Sequence, residues 1–174
     1  MKGIEMPTNL AAVLPLTKQH TFAPRRQIIL VDIENVVGGA VLTAAAANWA
    51  RTQIENVLAL NCDTQVIIGT SHVGYLETAL AWPNKQYAVN SGPDGADLAL
   101  IDEIDALRLE RYDEIILVSG DGIFAEAVAT LTGRGVDVTV VAHYGQCAGR
   151  LLMAASRTIY LQPDHNDGIA SGVA

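Results

Sequence analysis

The amino-acid sequence predicts a three-layer α/β/α, Rossmann-like domain with a mostly parallel central sheet, and three observations carry that expectation. Short β-branched runs alternate with longer alanine- and leucine-rich segments, the rhythm of a parallel sheet covered by helices on both faces. Two of the runs, IILV at 28–31 and again at 115–118, are continuously apolar, as strands buried on both sides require. Punctuation falls where helices should begin and end: Pro93 and Asp94 open one in the N-terminal manner, and Gly133 and Gly135 bracket the close of another.

The strand candidates are 27–33 (QIILVDI), 64–70 (TQVIIGT), 85–90 (KQYAVN), 113–119 (DEIILVS), 137–143 (DVTVVAH) and 157–161 (RTIYL). Between them lie helix candidates at 40–60, 73–81, 94–110, 123–132 and 147–156. Residues 1–24 and 163–174 carry neither period and are expected to be disordered tails, which leaves 25–162 as one domain. A length of 174 residues and an apolar content of 50 % suit a single domain with a substantial aliphatic core.

Two cysteines, Cys62 and Cys147, show neither a disulfide framework nor a metal-binding spacing, so free thiols in a cytoplasmic protein are expected. No stretch approaches the roughly 18–20 apolar residues that span a bilayer. The start, MKGIEMPTNLAAVLPL, is a poor secretory signal. No membrane partner is expected. The chain has 11 Lys and Arg against 19 Asp and Glu, a net charge of −8. Phosphate contacts normally come from basic side chains, but acids that present metal ions to a phosphate escape that objection.

Right-handed crossovers place every loop that follows a strand on one edge of a parallel sheet, where ligands bind. Three aspartates fall there. Asp32 ends the first strand, and an ionised carboxylate at that depth needs pairing, hydrogen bonds or a metal; capping the following turn is the alternative. Asp121, in IILVSGD, enters a helix through Gly120, where it also suits the helix dipole. Asp97 lies three and four residues before Leu100 and Ile101, the start of an apolar stripe continued by Ile104 and Leu107, so it extends the inward face. Asp102, about 140° away around the helix, belongs to solvent. Three acids from three junctions suit Mg²⁺ or Mn²⁺, hard cations that take oxygen ligands and leave room for a phosphate.

Other chemistry has less support. His72 and His143 have no partner at ligand spacing, Ser71 and Ser119 lack a nucleophile elbow, and the glycines form neither a Walker loop nor a dinucleotide fingerprint. The cations Arg25, Arg26, Lys85, Arg134, Arg150 and Arg157 are dispersed and read as surface charge; Lys85 and the Arg25–Arg26 pair are the ones expected to border the site.

VDIEN (with Asp32 and Asn35), GADLALIDEIDAL (with Asp97, and Asp102 also in register) and DEIILVSGDGIF followed by GRGVDVTVVA resemble, in that order, the NYN-domain proteins, a branch of the PIN-like ribonucleases. The resemblance runs over about 27–161. It implies a PIN-like fold and metal-dependent hydrolysis of RNA phosphodiesters, with RNA as partner, Mg²⁺ or Mn²⁺ as cofactor and, by analogy, a homodimer. It further implies that Asp32, Asp97 and Asp121 hold the metal, Asn35 orients the cluster and Ser119 supports the last loop. Two departures stand out: Ile123 replaces a second acid after SGD, with Glu126 the nearest stand-in, and Asp94 replaces a basic residue. They motivate an alternative, a catalytically silent RNA-binding or regulatory module.

Overall fold

A computed structural model describes residues 26–60 and 64–161. It contains six strands, β1 (Gln27–Asp32), β2 (Gln65–Thr70), β3 (Gln86–Val89), β4 (Glu114–Val118), β5 (Asp137–His143) and β6 (Arg157–Leu161). They form one parallel sheet in the order β3-β2-β1-β4-β5-β6. The helices are α1 (Ile33–Val37), α2 (Ala44–Glu55), α3 (Tyr75–Ala81), α4 (Gly95–Ala106), α5 (Ala125–Gly133) and α6 (Gly149–Ala154). This is the α/β architecture, helices on both faces of a parallel sheet, that the sequence predicts.

Successive side chains of a strand point to opposite faces, so an unbroken apolar run serves two cores at once. In β1, Ile29 and Val31 join Ala47, Ala50 and Ile54 of α2 and Trp82 after α3. Ile28 and Leu30 join Leu100 and Ile104 of α4, Val128 and Leu131 of α5 and Leu151 of α6 on the other side. Each such fully buried aliphatic side chain stabilises the fold by about 1.5–3 kcal/mol. The connections leaving β1 and β2 thus cover one face and those leaving β3, β4 and β5 cover the other. The reversal falls between β1 and β4, the switch point of a doubly wound sheet.

Five local differences from expectation are seen, two of them with a cap as the cause. Strand β1 stops at Asp32, because Asp32 Oδ1 accepts the Asn35 N–H at 3.1 Å and starts the short helix α1, which periodicity did not reveal. Gly38, at φ 83°, closes that helix with its N–H on Glu34 O. Helix α2 begins only at Ala44, where Thr43 Oγ1 accepts the Ala46 N–H at 3.2 Å. The 94–110 candidate divides into α4 and a 3₁₀ turn at Leu109–Arg111, and the 123–132 candidate is entered through a 3₁₀ turn at Gly122–Phe124. Asp94 stands at the N-cap of α4 but in a left-handed conformation (φ 55°), and its side chain accepts no capping hydrogen bond. The close of α5 is as expected: Gly135 takes φ 82° and the Val136 N–H reaches Leu131 O at 3.1 Å.

One close approach positions the site. A Cβ on Gly69 of β2 would lie 2.5 Å from Leu100 Cδ1. Glycine there lets Leu100, fully buried, settle onto the strand and brings the first turn of α4 down over the sheet's carboxyl edge. The two tails, Arg25 and Cys62 lie outside the described residues, and Cys147 is a free thiol. Among the described residues no helix is long and apolar enough to cross a membrane.

Candidate functional site

Asp32 and the Ser119–Asp121 loop end the two strands that flank the switch point, so the topology alone brings them together. Asp32 is 2 % exposed and Ser119 is fully buried. Ser119 Oγ donates to Asp32 Oδ2 at 2.9 Å and itself accepts the Asp121 N–H at 3.1 Å. Asn35 turns the other way: its backbone N–H donates to Asp32 Oδ1, and its side-chain Oδ1 accepts the Gly120 N–H at 2.8 Å. Asp32 is therefore held at both carboxylate oxygens, each with a lone pair left over. Its capping and site roles coexist. Asp121 caps as well, with Oδ1 accepting the Ile123 N–H at 2.9 Å, while the residue remains exposed.

Asp97, half-buried on the first turn of α4, reaches the same place from the opposite layer. Its carboxyl lies within hydrogen-bonding reach of that of Asp32, and each shifts the other's proton affinity. Burial pushes the Asp32 carboxyl above the ordinary aspartate range, outweighing the hydrogen bonds from Asn35 and Ser119. Burial, followed by the negative charge of Asp32, pushes Asp97 up to about 7. Asp121 and Asp94 act in the same direction. Two adjacent carboxyls cannot both ionise cheaply in a partly dry site.

The donor chemistry suits a hard divalent cation, for it is all oxygen and its negative charge is mutually repulsive. Among the described residues, however, no three His, Cys, Asp or Glu side chains form a ready-made ligand cage. The arrangement is a contacting pair, Asp32 and Asp97, with Asp121 acting on both through its charge. Magnesium is commonly held this way, by one or two carboxylates with waters and substrate phosphate completing the shell. The residues fit the ion on those terms.

Other expectations are redrawn. Lys85 does not border the acids: it precedes β3, so in a parallel sheet it stands at the opposite edge, in a cleft with Arg51 and Trp82. Arg26 lies at that far edge too, paired with Asp113 at 3.2 Å. His143 is no free loop residue; its Nε2 lies 2.9 Å from Val36 O and its ring stacks on Trp49. His72 Nδ1 lies 2.9 Å from Ser91 Oγ. Asp102 is exposed, as helical geometry required. Ile123 is half-buried against the apolar cluster of α4, α5 and α6, and Glu126 is exposed. Asp94 is the acid that sequence reading missed as a member of the group; its position three residues before Asp97, one helical turn, was the available signal.

The description NYN domain matches residues 38–162. The chain belongs to the NYN-domain family. That membership places it in a nuclease-like, PIN-like superfamily. The matched stretch includes Asp97, Ser119 and Asp121 but begins after Asp32 and Asn35. This NYN domain is also 43 % identical over 53 residues to the low amplitude and bright protein LabA of Synechococcus elongatus, a match spanning 30 % of this chain and 28 % of that protein. A solved structure of a Vibrio parahaemolyticus protein of unknown function superposes with a TM-score of 0.54 at 18 % identity. It covers 80 % of this chain and 95 % of that one, which establishes likeness of fold.

Proposed function

We propose that this NYN domain is a Mg²⁺- or Mn²⁺-dependent ribonuclease that hydrolyses RNA phosphodiester bonds at the carboxyl edge of β1 and β4. The observation that carries the reading is the Asp32–Asp97 contact, two carboxyls that repel when ionised, with Asp121 and Asp94 adding to the repulsion. Stability alone gives no reason to gather negative charge so closely; a cation gives one. Asp32 and Asp97 would hold the metal, with Asp121 beside them. A bound divalent ion supplies an activated water and neutralises charge that develops on phosphorus.

The chain's own groups do the rest. Ser119 and Asn35 hold Asp32 at both carboxylate oxygens. Asp97, with its pKa pushed up to about 7, would have to be ionised to hold a cation, so affinity would rise with pH through about 7. Gly120 lets the loop after β4 run close beneath Gln146 O, which a Cβ would approach to 2.7 Å.

A second reading, a catalytically silent RNA-binding or regulatory module, has one specific observation in its favour: Ile123 is committed to the apolar cluster where a further acid is expected. One experiment separates the two. Wild type, Asp32→Asn and Asp97→Asn are assayed for RNA cleavage in Mn²⁺ and for a Mn²⁺-induced rise in melting temperature. The nuclease reading expects cleavage reduced at least about 100-fold in both variants, more than loss of an outer-shell partner causes. It also expects a wild-type thermal shift that both lose, because binding to the native state alone raises stability. A wild type that binds RNA and Mn²⁺ without turnover selects the second reading.

A further inference from the structure

We infer that Arg150 is the residue that grips a phosphate of the substrate beside the acid pair, an inference that rests on the phosphodiester reading above. In a parallel sheet, residues that precede a strand lie at one edge and residues that follow a strand lie at the other. Arg26, Lys85, Arg134 and Arg157 precede or begin strands, and Arg108 and Arg111 stand before β4. The Arg51 guanidinium reaches Ala81 O at the end of α3, toward that same edge. Of the described lysines and arginines only Arg150, on the first turn of α6 after β5, stands at the edge where the acids gather.

Its place is built. Arg150 Nε donates to Gly122 O at 2.8 Å, one residue from Asp121. A Cβ on Gly122 would lie 2.3 Å from Arg150 Nε and 2.8 Å from Nη2, so glycine there lets the guanidinium lie directly against the backbone, and a larger residue would displace it. The loop before Arg150 is pinned to the same segment: Ala148 N–H donates to Gly120 O at 2.9 Å. The 3₁₀ turn Gly122–Phe124 touches α4 on one side and α6 on the other. Asp97 of α4 and Arg150 of α6 thus flank the turn that carries Asp121.

Among the described residues the guanidinium makes no ion pair, and its hydrogen bond to Gly122 O uses one of five N–H groups. The planar fork, immobilised at Nε and open at Nη, suits a bidentate contact with a phosphate oxygen pair. It also meets the difficulty raised by a net charge of −8. A phosphodiester approaching this edge meets one cation held beside the acids, and the other described cations face away.

The test uses the full chain and a fluorescent single-stranded RNA in Mn²⁺, with KM (or Kd, for a chain that binds without cleaving) measured across a range of salt. Arg150→Gln is expected to weaken KM or Kd about tenfold, the scale of one charged hydrogen-bonding contact. It should also flatten the plot of log affinity against log salt by about 0.7, one phosphate contact to a single strand. Arg150→Lys keeps the charge and should keep the slope. A merely structural role for Arg150 would lower the melting temperature or kcat and leave the salt slope unchanged, and that outcome overturns the assignment. A wild type that cleaves RNA alongside an Arg150→Gln variant of equal KM and slope removes Arg150 alone. A wild type that neither binds nor cleaves RNA removes the nuclease reading together with it.

Discussion

Two carboxylates at opposite ends of neighbouring strands, Asp32 closing β1 and Glu114 opening β4, are equally buried at 2 % and 1 % exposed, yet their surroundings differ in kind. Around Glu114 the protein gathers donors: Gln27 Nε2 at 2.6 Å, Thr139 Oγ1 at 2.6 Å and the Arg157 guanidinium. Burial raises its pKa, but Thr139, Gln27 and Arg157 together outweigh that, and Glu114 ends below the ordinary range. Around Asp32 the protein gathers two donors and another acid, and its pKa moves the opposite way. A buried charge satisfied by donors and a cation closes a structural joint, here tying edge strand β6 to β4 and β5. A buried charge facing its own kind remains open to a ligand. The difference between the edges, more than burial at either, marks the site.

Three experiments sharpen or break that contrast. The largest effect is expected from Ser119→Ala, which leaves one oxygen of buried Asp32 without its donor. Metal affinity or metal-dependent cleavage should drop about 10- to 100-fold, as for other outer-shell partners of a metal ligand, read from Mn²⁺ titration of the thermal shift. An unchanged titration would remove Asp32 from the proposed metal-binding group.

The second is Arg157→Ala at the far edge, expected to cost about 1 kcal/mol. The figure is held down because the Arg157 side chain is 56 % exposed and Glu114 keeps its two neutral donors. Denaturant unfolding should show that loss with no change in Mn²⁺ response or RNA turnover. A changed Mn²⁺ response would mean that the two edges are coupled, and the contrast would fail.

The smallest effect concerns pH. Asp97 has a folded pKa of about 7, above the ordinary aspartate value of about 4. The folded chain therefore binds more protons than the unfolded one in that window, and metal-free stability falls as pH rises through it. Glu114 has the opposite sign: its stabilisation is present above the unfolded glutamate pKa and is lost as pH falls through its lowered folded value. In EDTA, Asp97→Asn should raise the melting temperature at pH 8 by about 2–4 °C, the shift of roughly 1 kcal/mol in a chain of this size. The gain should shrink as pH falls and vanish below about pH 3, under the ordinary aspartate value, where the wild-type carboxyl is protonated in both states. Equal effects at both pH values would count against a charge origin.

The contrast was partly legible in the residues. VDIEN and SGD could be placed at one edge because crossover handedness decides which end of a strand a loop occupies, and strand direction follows from alternating helices and strands. Asp97 could be added because helical spacing from Leu100 gives its face. Lys85 shows where that reasoning stopped. Its position just before a strand was visible, but its edge followed only once all six strands proved parallel. Helix α1 was hidden for a related reason: five residues are too few to show a period, and the Asp32–Asn35 cap defines it.

By itself, then, the sequence determined the layers, the six strands and the edge that gathers Asp32, Asp97 and Asp121, because apolar period and chain handedness are local properties. Only the tertiary structure decided that Asp32 and Asp97 come within reach of each other, that Asp121 stands beside them without closing a cage, and that Asp94 joins the group. It alone set Arg150 apart from the other described cations. Those outcomes depend on distances between segments far apart in the chain, which are set by close approaches such as Leu100 onto Gly69 and Arg150 onto Gly122. No local pattern encodes them.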